Sequence, residues 1–456
     1  MWNYLEDASN YQGFADQIQI PNNEAELLAV LNEAQEKSIP VTIAGGGSGL
    51  TGGRVPEGGW SVSLEKFNKI EVHEGFAVCG SGAILKDLHA AAKRSGQFYP
   101  PDPTETMAAI GGTISCNASG SRSFLYGATR RWINRLRVAL MDGRILDVRR
   151  GDKIDFEVPE VHRPLSTKHS AGYPLKPGMD WIDLFAGSEG TLGVLIEAEL
   201  KLLPAPKELL NGVIFFSSDE DAINAVEAWR SVKGLRMLEY ADEKALNMIR
   251  EKYQDLPKNA LACVIVEQIM EDDSVIDQWE DRLTAFHALG EESWFGSTDS
   301  DRERFREFRH SLPERVIQLV RQLGLPKLGT DFAVPIAKNR EMLAYYRQEL
   351  AARLHSPHVI YGHIGDGHLH VNMFPVNEAE SAESKKLMYD FARKSVELGG
   401  TVAAEHGVGK RKRDFLKLQY SEAELEAMKT VKRRLDPKWL LGRGNLFPMS
   451  PEPHVV

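Results

Sequence analysis

Between residues 355 and 370 the chain places five of its thirteen histidines. Residues 361–372 read Tyr-Gly-His-Ile-Gly-Asp-Gly-His-Leu-His-Val-Asn, which sets His363, His368, His370, Asp366 and Asn372 around a Gly-Asp-Gly turn. A second polar knot follows, with Glu405 and His406 inside Gly-Gly-Thr-Val-Ala-Ala-Glu-His-Gly-Val-Gly. Imidazoles joined by a carboxylate are the donor set that a divalent transition metal takes. A single histidine is more often a hydrogen-bonded core residue, but a cluster this dense reads as a metal-assisted active site.

The elements around these residues must bring them together. Strands over 358–363 and 368–374 would make Gly-Asp-Gly a hairpin connection. Period-two alternation then puts His368, His370 and Asn372 on one face and lets His363 meet His370 across the turn. Glu405 must arrive from the later segment. Two imidazoles and one carboxylate leave coordination positions open, as catalytic sites do; Zn²⁺ suits them best, and Mn²⁺ or Fe²⁺ are compatible.

A different chemistry is written at Ala44-Gly-Gly-Gly-Ser-Gly-Leu-Thr-Gly-Gly53, a formal G-x-G-x-x-G at Gly47, Gly49 and Gly52. A nicotinamide-binding fingerprint needs those glycines to open a helix. Here Pro56, Gly58 and Gly59 follow, so no helix can form and that reading fails. Backbone without side chains can still cradle a diphosphate through successive N–H groups. Residues 100–120, with paired glycines and Asn117, and Phe185-Ala-Gly-Ser-Glu-Gly-Thr-Leu-Gly-Val194 repeat the same texture. Three such loops suggest one extended nucleotide ligand.

With 456 residues, 42% of them hydrophobic, the chain can bury ample core in two or three domains. A net charge of −10 argues against nucleic-acid binding. The basic run Lys410-Arg411-Lys412-Arg413 reads as a solvated helix face; its sharper reading is a docking surface for an acidic partner or lipid headgroups. Cys79, Cys116 and Cys263 form no metal or disulfide framework. No leader or membrane-spanning stretch is visible, so the expected location is cytoplasmic, compatible with peripheral contact at the inner membrane face and with a homodimer.

Helices are expected at 23–38 with Asn22 or Asn23 as cap, near 84–95, at 219–233, 273–289, 301–323, 338–354 and 377–398, and within 421–441. Strands are expected at 39–44, 211–216, 261–268 and 357–363. The pattern is α+β, with a boundary near Pro206 where longer charged helices begin.

In combination the three loops resemble the FAD-binding half of the vanillyl-alcohol-oxidase/PCMH-type flavoproteins. The His-Ile-Gly-Asp-Gly-His-Leu-His and Glu-His-Gly-Val-Gly segments resemble its D-2-hydroxyacid dehydrogenase branch, the FAD-linked D-lactate, D-2-hydroxyglutarate and glycolate dehydrogenases. The resemblance runs from about residue 15 to 447. It implies a PCMH-type FAD-binding domain (1–206), a substrate or cap domain with an antiparallel sheet (207–400), and a C-terminal segment (401–456) that carries Glu405-His406 and packs back on the first domain.

By the same resemblance, Gly45, Gly46, Gly47, Ser48, Gly49, Leu50, Thr51 and Gly52 would hold the diphosphate. Pro101, Asp102, Thr104, Gly111, Gly112, Asn117, Gly120, Gly187, Glu189, Gly190 and Gly193 would surround the flavin and its adenosine arm. The glycine loop and its flanks lack the histidine that some relatives use as a covalent tether, so FAD is expected to be noncovalent. His363, His370 and Glu405 are the implied metal ligands and His406 the implied base. Asn372 would support substrate or metal geometry, and Arg309 would take the substrate carboxylate. The implied reaction oxidises a small D-2-hydroxy acid and hands electrons to a quinone, a cytochrome, an electron-transfer flavoprotein or a partner subunit.

The chain departs from the family pattern at several points. His368 and His169 stand where relatives usually have Asn. Pro313 replaces a hydroxyl side chain of the hydroxyglutarate enzymes, and Lys327 is the nearest counterpart of their distal-carboxylate lysine; together these disfavour a dicarboxylic substrate. The competing classes are a transferase resembling alkylglycerone-phosphate synthase, which uses a contiguous histidine run absent here, and a flavin-binding subunit of a larger glycolate oxidase-type complex.

Overall fold

The glycine loop enters no helix. In a computed structural model that describes residues 4–448, the strand Val41–Ala44 runs into Gly45, and the chain crosses Pro56 and Gly58 to a second strand, Trp60–Ser63. The two pair in parallel, Val41 opposite Trp60, with Gln17–Gln19 on the other side of Trp60–Ser63. The first helix, Glu24–Glu36, is capped by the Asn23 side chain on the Glu26 amide and buries Leu27, Leu31 and Ala34. Residues 1–3 and the last eight residues of the expected C-terminal segment, 449–456, lie outside the described residues.

A five-stranded antiparallel sheet follows in the order Ile70–His73, Phe76–Gly80, Val194–Lys201, Ile133–Ala139, Ile145–Arg149. The short helix Ile110–Ser115 lies against this sheet with Gly112 close to the loop at 45–53: a Cβ on Gly45 would stand 4.0 Å from Gly112 Cα.

Beyond residue 206 a seven-stranded antiparallel sheet is built in the order Trp294–Gly296, Leu209–Phe216, Ala262–Ile269, Leu235–Asp242, His358–His363, His368–Met373, Leu328–Gly329. Asp219–Trp229, Asn339–Arg353 and Glu378–Glu397 cover one face. The long helix Asp299–Leu323 covers the other, with Phe305, Phe308, Leu312 and Val316 packed on Val213, Phe215 and Val359. The strand Leu235–Asp242 and the helix Glu243–Ile249 after it were not expected from sequence, because Arg236, Glu239 and Asp242 break the apolar alternation.

The chain then returns to its first half. Leu440 accepts the Val41 amide at 2.7 Å, and Asn445 Nδ2 donates to Gly53 O at 2.8 Å. Leu440 and Leu441 pack with Leu27, Leu31 and Trp60.

The basic run corrects an expectation. Residues 410–413 form no exposed helix face, because Gly407 and Gly409 hold positive φ before them. Lys410 is buried and donates to Asn445 Oδ1 at 2.8 Å, Arg411 donates to Ser9 O, and Lys412 lies 3.6 Å from the buried Asp331 carboxylate. Those charges tie segments together. Among the described residues no helix is long and apolar enough to cross a membrane.

Candidate active site

The histidine hairpin forms with His363 directly opposite His368 and Tyr361 opposite His370. Gly367, at φ 67°, closes the turn. Gly362, at φ 130°, is required inside the first strand: a Cβ there would stand 2.9 Å from the His370 ring. His363, His368 and His370 therefore share one face, with ring centroids 4.4–5.5 Å apart. The neighbouring strand supplies Glu239, whose Oε1 lies 2.5 Å from His363 Nδ1, leaving Nε2 to face the cluster.

Glu405 reaches these rings with one oxygen. Its Oε1 lies 3.2 Å from His363 Nε2, 3.4 Å from His370 Nε2 and 3.7 Å from His406 Nε2. Its Oε2 accepts from Ser119 Oγ (2.7 Å), the Gly120 amide (3.2 Å) and Lys168 Nζ (3.0 Å). Donors about 2.0–2.1 Å from a tetrahedral ion are separated by about 3.4 Å, so the His363–Glu405 and His370–Glu405 spacings fit a metal. The donor chemistry fits as well: imidazole nitrogens and one carboxylate oxygen.

The segment carrying Glu405 and His406 has no regular secondary structure, yet five successive amides are taken by side chains from elsewhere. Glu405 N and His406 N donate to Asp331 (3.2 and 3.0 Å), and Gly407 N donates to Ser170 Oγ (3.3 Å). Val408 N and Gly409 N donate to Glu189 (2.8 and 2.6 Å). Buried amides need partners, and here buried carboxylates replace a ladder.

The charge states follow from these contacts. Burial alone would raise Asp331, but His406, the Lys412 ammonium and His368 hold it well below the usual carboxylate range. Glu405 behaves likewise: Lys168 and His363 outweigh its burial. Burial, outweighing the Asp331 carboxylate, pushes His406 down to about 4, so its ring is neutral and able to accept a proton. Burial also drives His368 well below the ordinary histidine range.

His406 and Glu405 line a cavity of about 290 Å³ together with Ser119 and Gly120, with Ser81, Gly111 and Gly112, and with Gly45–Thr51. The walls fit an extended planar nucleotide. A Cβ on Gly46 would stand 3.0 Å from Ala109 N and Met107 O, and the buried Ser81 hydroxyl has no hydrogen-bond partner. His406 is the only imidazole among the described lining residues.

Gly45, Gly46, Gly47, Ser48, Gly49, Leu50, Thr51, Thr104, Gly111, Gly112, Gly120, Glu189, Gly190 and Gly193 all line this cavity. Gly52, Pro101, Asp102, Asn117 and Gly187 do not. Gly52 N is spent on Asp7, and Asp102 is turned to Arg122 at 3.0 Å. Pro101 is buried beside Asp102. Asn117 accepts the Arg130 amide, and Gly187 N donates to Ile114 O.

Arg309 also differs from its expected disposition. Its Nε and Nη2 grip Glu239 at 2.5 and 3.2 Å, leaving Nη1 toward Thr104 Oγ1 at 3.2 Å. An internal carboxylate has already taken its bidentate face. Asn372 lies on the histidine face as expected, but its Oδ1 accepts from Lys327 Nζ at 2.5 Å. Sequence reasoning missed Glu239, Asp331, Lys168 and Ser119. Only the isolation of an acid in an apolar context, as in Met-Leu-Glu-Tyr or Thr-Asp-Phe, hints at the first two.

Residues 15–149 match the FAD binding domain family, and residues 205–446 match the C-terminal domain of FAD linked oxidases. The chain is 33% identical to a D-lactate dehydrogenase of Archaeoglobus fulgidus, over 93% of this chain and 90% of that one. It is 30% identical to the glycolate oxidase subunit GlcD of Bacillus subtilis (99% and 93%) and 28% identical to a D-2-hydroxyglutarate dehydrogenase of Xanthomonas citri (94% and 89%). A solved alkyldihydroxyacetonephosphate synthase shares the fold, with a TM-score of 0.65 at 18% identity over 93% of this chain and 75% of that one.

Proposed function

Because the chain belongs to the FAD-linked oxidases and carries a PCMH-type FAD-binding domain ahead of their C-terminal domain, we propose that it oxidises a small, D-lactate-like D-2-hydroxy acid to the 2-oxo acid, using noncovalent FAD and a divalent metal. Electrons then pass to an external acceptor. One observation supports this reading: Glu405, whose Oε1 adjoins His363 and His370, lines the glycine-walled cavity together with His406.

His363, His370 and Glu405 would hold the metal. When bound, the metal supplies acidity to the substrate hydroxyl, as Zn²⁺ lowers bound water from 15.7 toward about 7, and the flavin supplies an acceptor at N5 for the C2 hydride. His406, neutral and facing the cavity, takes the hydroxyl proton. Glu239 fixes the tautomer of His363, so that Nε2 points inward. Glu405, locked by Lys168 and Ser119, keeps Oε1 toward the rings. Arg309 acts chiefly through Glu239, with Nη1 left on the cavity side beside Thr104. Asn372 presents Lys327 on the same strand face as His370.

The test is spectroscopic. Purified protein is mixed anaerobically with a panel of D- and L-2-hydroxy acids, with and without chelator, and the flavin band is followed. Bleaching by a D-acid that disappears after chelation is the expected result. A yellow protein indifferent to every acid, or bleached equally after metal removal, overturns the reading.

A further inference from the structure

His368 is fully buried; its Nδ1 has no hydrogen-bond partner, and its Nε2 meets only Asp331 Oδ1, at a long 3.4 Å. An unsatisfied buried polar group costs roughly 1–3 kcal/mol, so a ring with one nitrogen unpartnered and the other weakly held favours a further partner. Asp331 Oδ1 already accepts the Glu405 amide and lies 3.5 Å from the His406 ring Nδ1, so His368 shares that oxygen with two other donors. The His368 ring lies 4.4 Å from that of His370 and 5.3 Å from that of His363. One donor atom from each of His363, His368, His370 and Glu405 falls within 4.8 Å of all the others.

We propose that His368 is a third imidazole ligand of the metal, giving a site of three histidine nitrogens and one Glu405 oxygen that selects Zn²⁺, Co²⁺ or Fe²⁺ over Mn²⁺. The proposal rests on the metal reading above and goes beyond it in ligand number and metal class. Strand register makes it geometrically natural. His363 and His368 are opposite each other at the hairpin end, and His370 is the next residue on the same face, so three rings converge without rearrangement of the backbone. An asparagine at 368 would offer a harder oxygen and a shorter reach. Imidazole-rich sites favour the later first-row ions, whereas oxygen-rich sites suit Mn²⁺.

The experiment uses the flavin-loaded protein, stripped of metal and refilled with Co²⁺. Each ligating imidazole contributes one solvent-exchangeable N–H signal, shifted far outside the normal proton range by the paramagnetic ion. Three such signals are expected for the wild type and two for His368→Asn. In competition titrations, His368→Asn should weaken Zn²⁺ and Co²⁺ binding by about 10–100-fold and Mn²⁺ binding by no more than about threefold. The wild-type signal count alone decides the matter should the variant fold poorly. Two signals in the wild type, or an unchanged Zn²⁺/Mn²⁺ preference in the variant, overturn the proposal and leave the His363–His370–Glu405 site standing. A wild type that binds no metal, like the control His363→Ala, removes the metal reading and this proposal together.

Discussion

Asp331 holds His406 twice: its Oδ2 accepts the backbone amide at 3.0 Å, and its Oδ1 lies 3.5 Å from the ring Nδ1. The first contact fixes where the residue stands; the second puts a carboxylate beside ring Nδ1, with Nε2 on the side of Glu405 Oε1 at 3.7 Å. Asp331→Asn keeps the volume but replaces one acceptor with a donor against that ring and the neighbouring amides. Turnover should fall by about 10²–10⁴-fold, the contribution of a positioned proton acceptor, with flavin content retained. Steady-state rates normalised to flavin absorbance check this; a loss smaller than about threefold would show that His406 needs no such support.

Glu239 serves two partners, the guanidinium of Arg309 and the Nδ1 of His363. Burial would raise its carboxyl, yet Arg309 and His363 hold it well below its ordinary range. Glu239→Gln leaves a buried guanidinium unpaired, which should cost roughly 3–5 kcal/mol in thermal or denaturant unfolding. It should also weaken metal binding by about 10–100-fold, since His363 loses its orienting carboxylate. The double variant Glu239→Gln/Arg309→Met separates the two effects: stability should recover while metal affinity stays low. Recovery of both would mean that Arg309, and not Glu239, governs His363.

His169 gives a pH dependence whose sign can be worked out. Burial pushes it down to about 3, with Arg130, Arg163 and His162 also opposing protonation, and its nitrogens face Thr401 Oγ1 and the Tyr420 hydroxyl. The unfolded chain takes up this proton near 6.5 and the folded chain does not, so stability is full above that pH and falls as pH drops toward 3. Between pH 7 and pH 5 the loss from this group is about 2 kcal/mol. His169→Asn should flatten that part of the profile, read from melting curves at the two pH values. An identical slope in the variant would place the acid sensitivity elsewhere.

The parts legible in the sequence were those encoded by local pattern. Alternation around Gly-Asp-Gly placed His363, His368, His370 and Asn372 on one face, and Pro56 with Gly58 excluded a helix after the glycine loop. The Asn23 cap and the long amphipathic helices were readable for the same reason. What stayed hidden depends on contacts between distant segments. Ser119 meets Glu405 across 286 residues, and no local signal marks a serine for that role. Glu239 sits in a strand whose own charges disguise it. The basic run at 410–413 reads as solvent-facing until the loops that accept its hydrogen bonds are folded around it.

Lys327 bears on substrate choice. Its side chain is half-buried, its ammonium is pushed down to about 8, by desolvation first and by Lys412 second, and it donates to the neutral Asn372 amide oxygen. Among the described residues no carboxylate pairs with it, whereas Arg309 is already neutralised by Glu239. A half-buried cation beside the histidine strand without a counter-charge is poised for an anionic ligand group. Lys327→Met should leave the ligand-free protein as stable as the wild type or more so, because an uncompensated charge is removed. It should raise KM for the true substrate by about 10–100-fold, the worth of one charge-assisted hydrogen bond, with kcat changed by only a few-fold. Comparing D-lactate with a five-carbon dicarboxylic D-2-hydroxy acid then locates the contact. A KM effect confined to the dicarboxylic acid puts Lys327 at a distal carboxylate and reverses the preference inferred from Pro313, whereas an effect on both puts it beside the carboxylate at C1. Unchanged KM for every acid would mean that the ammonium serves only to hold Asn372.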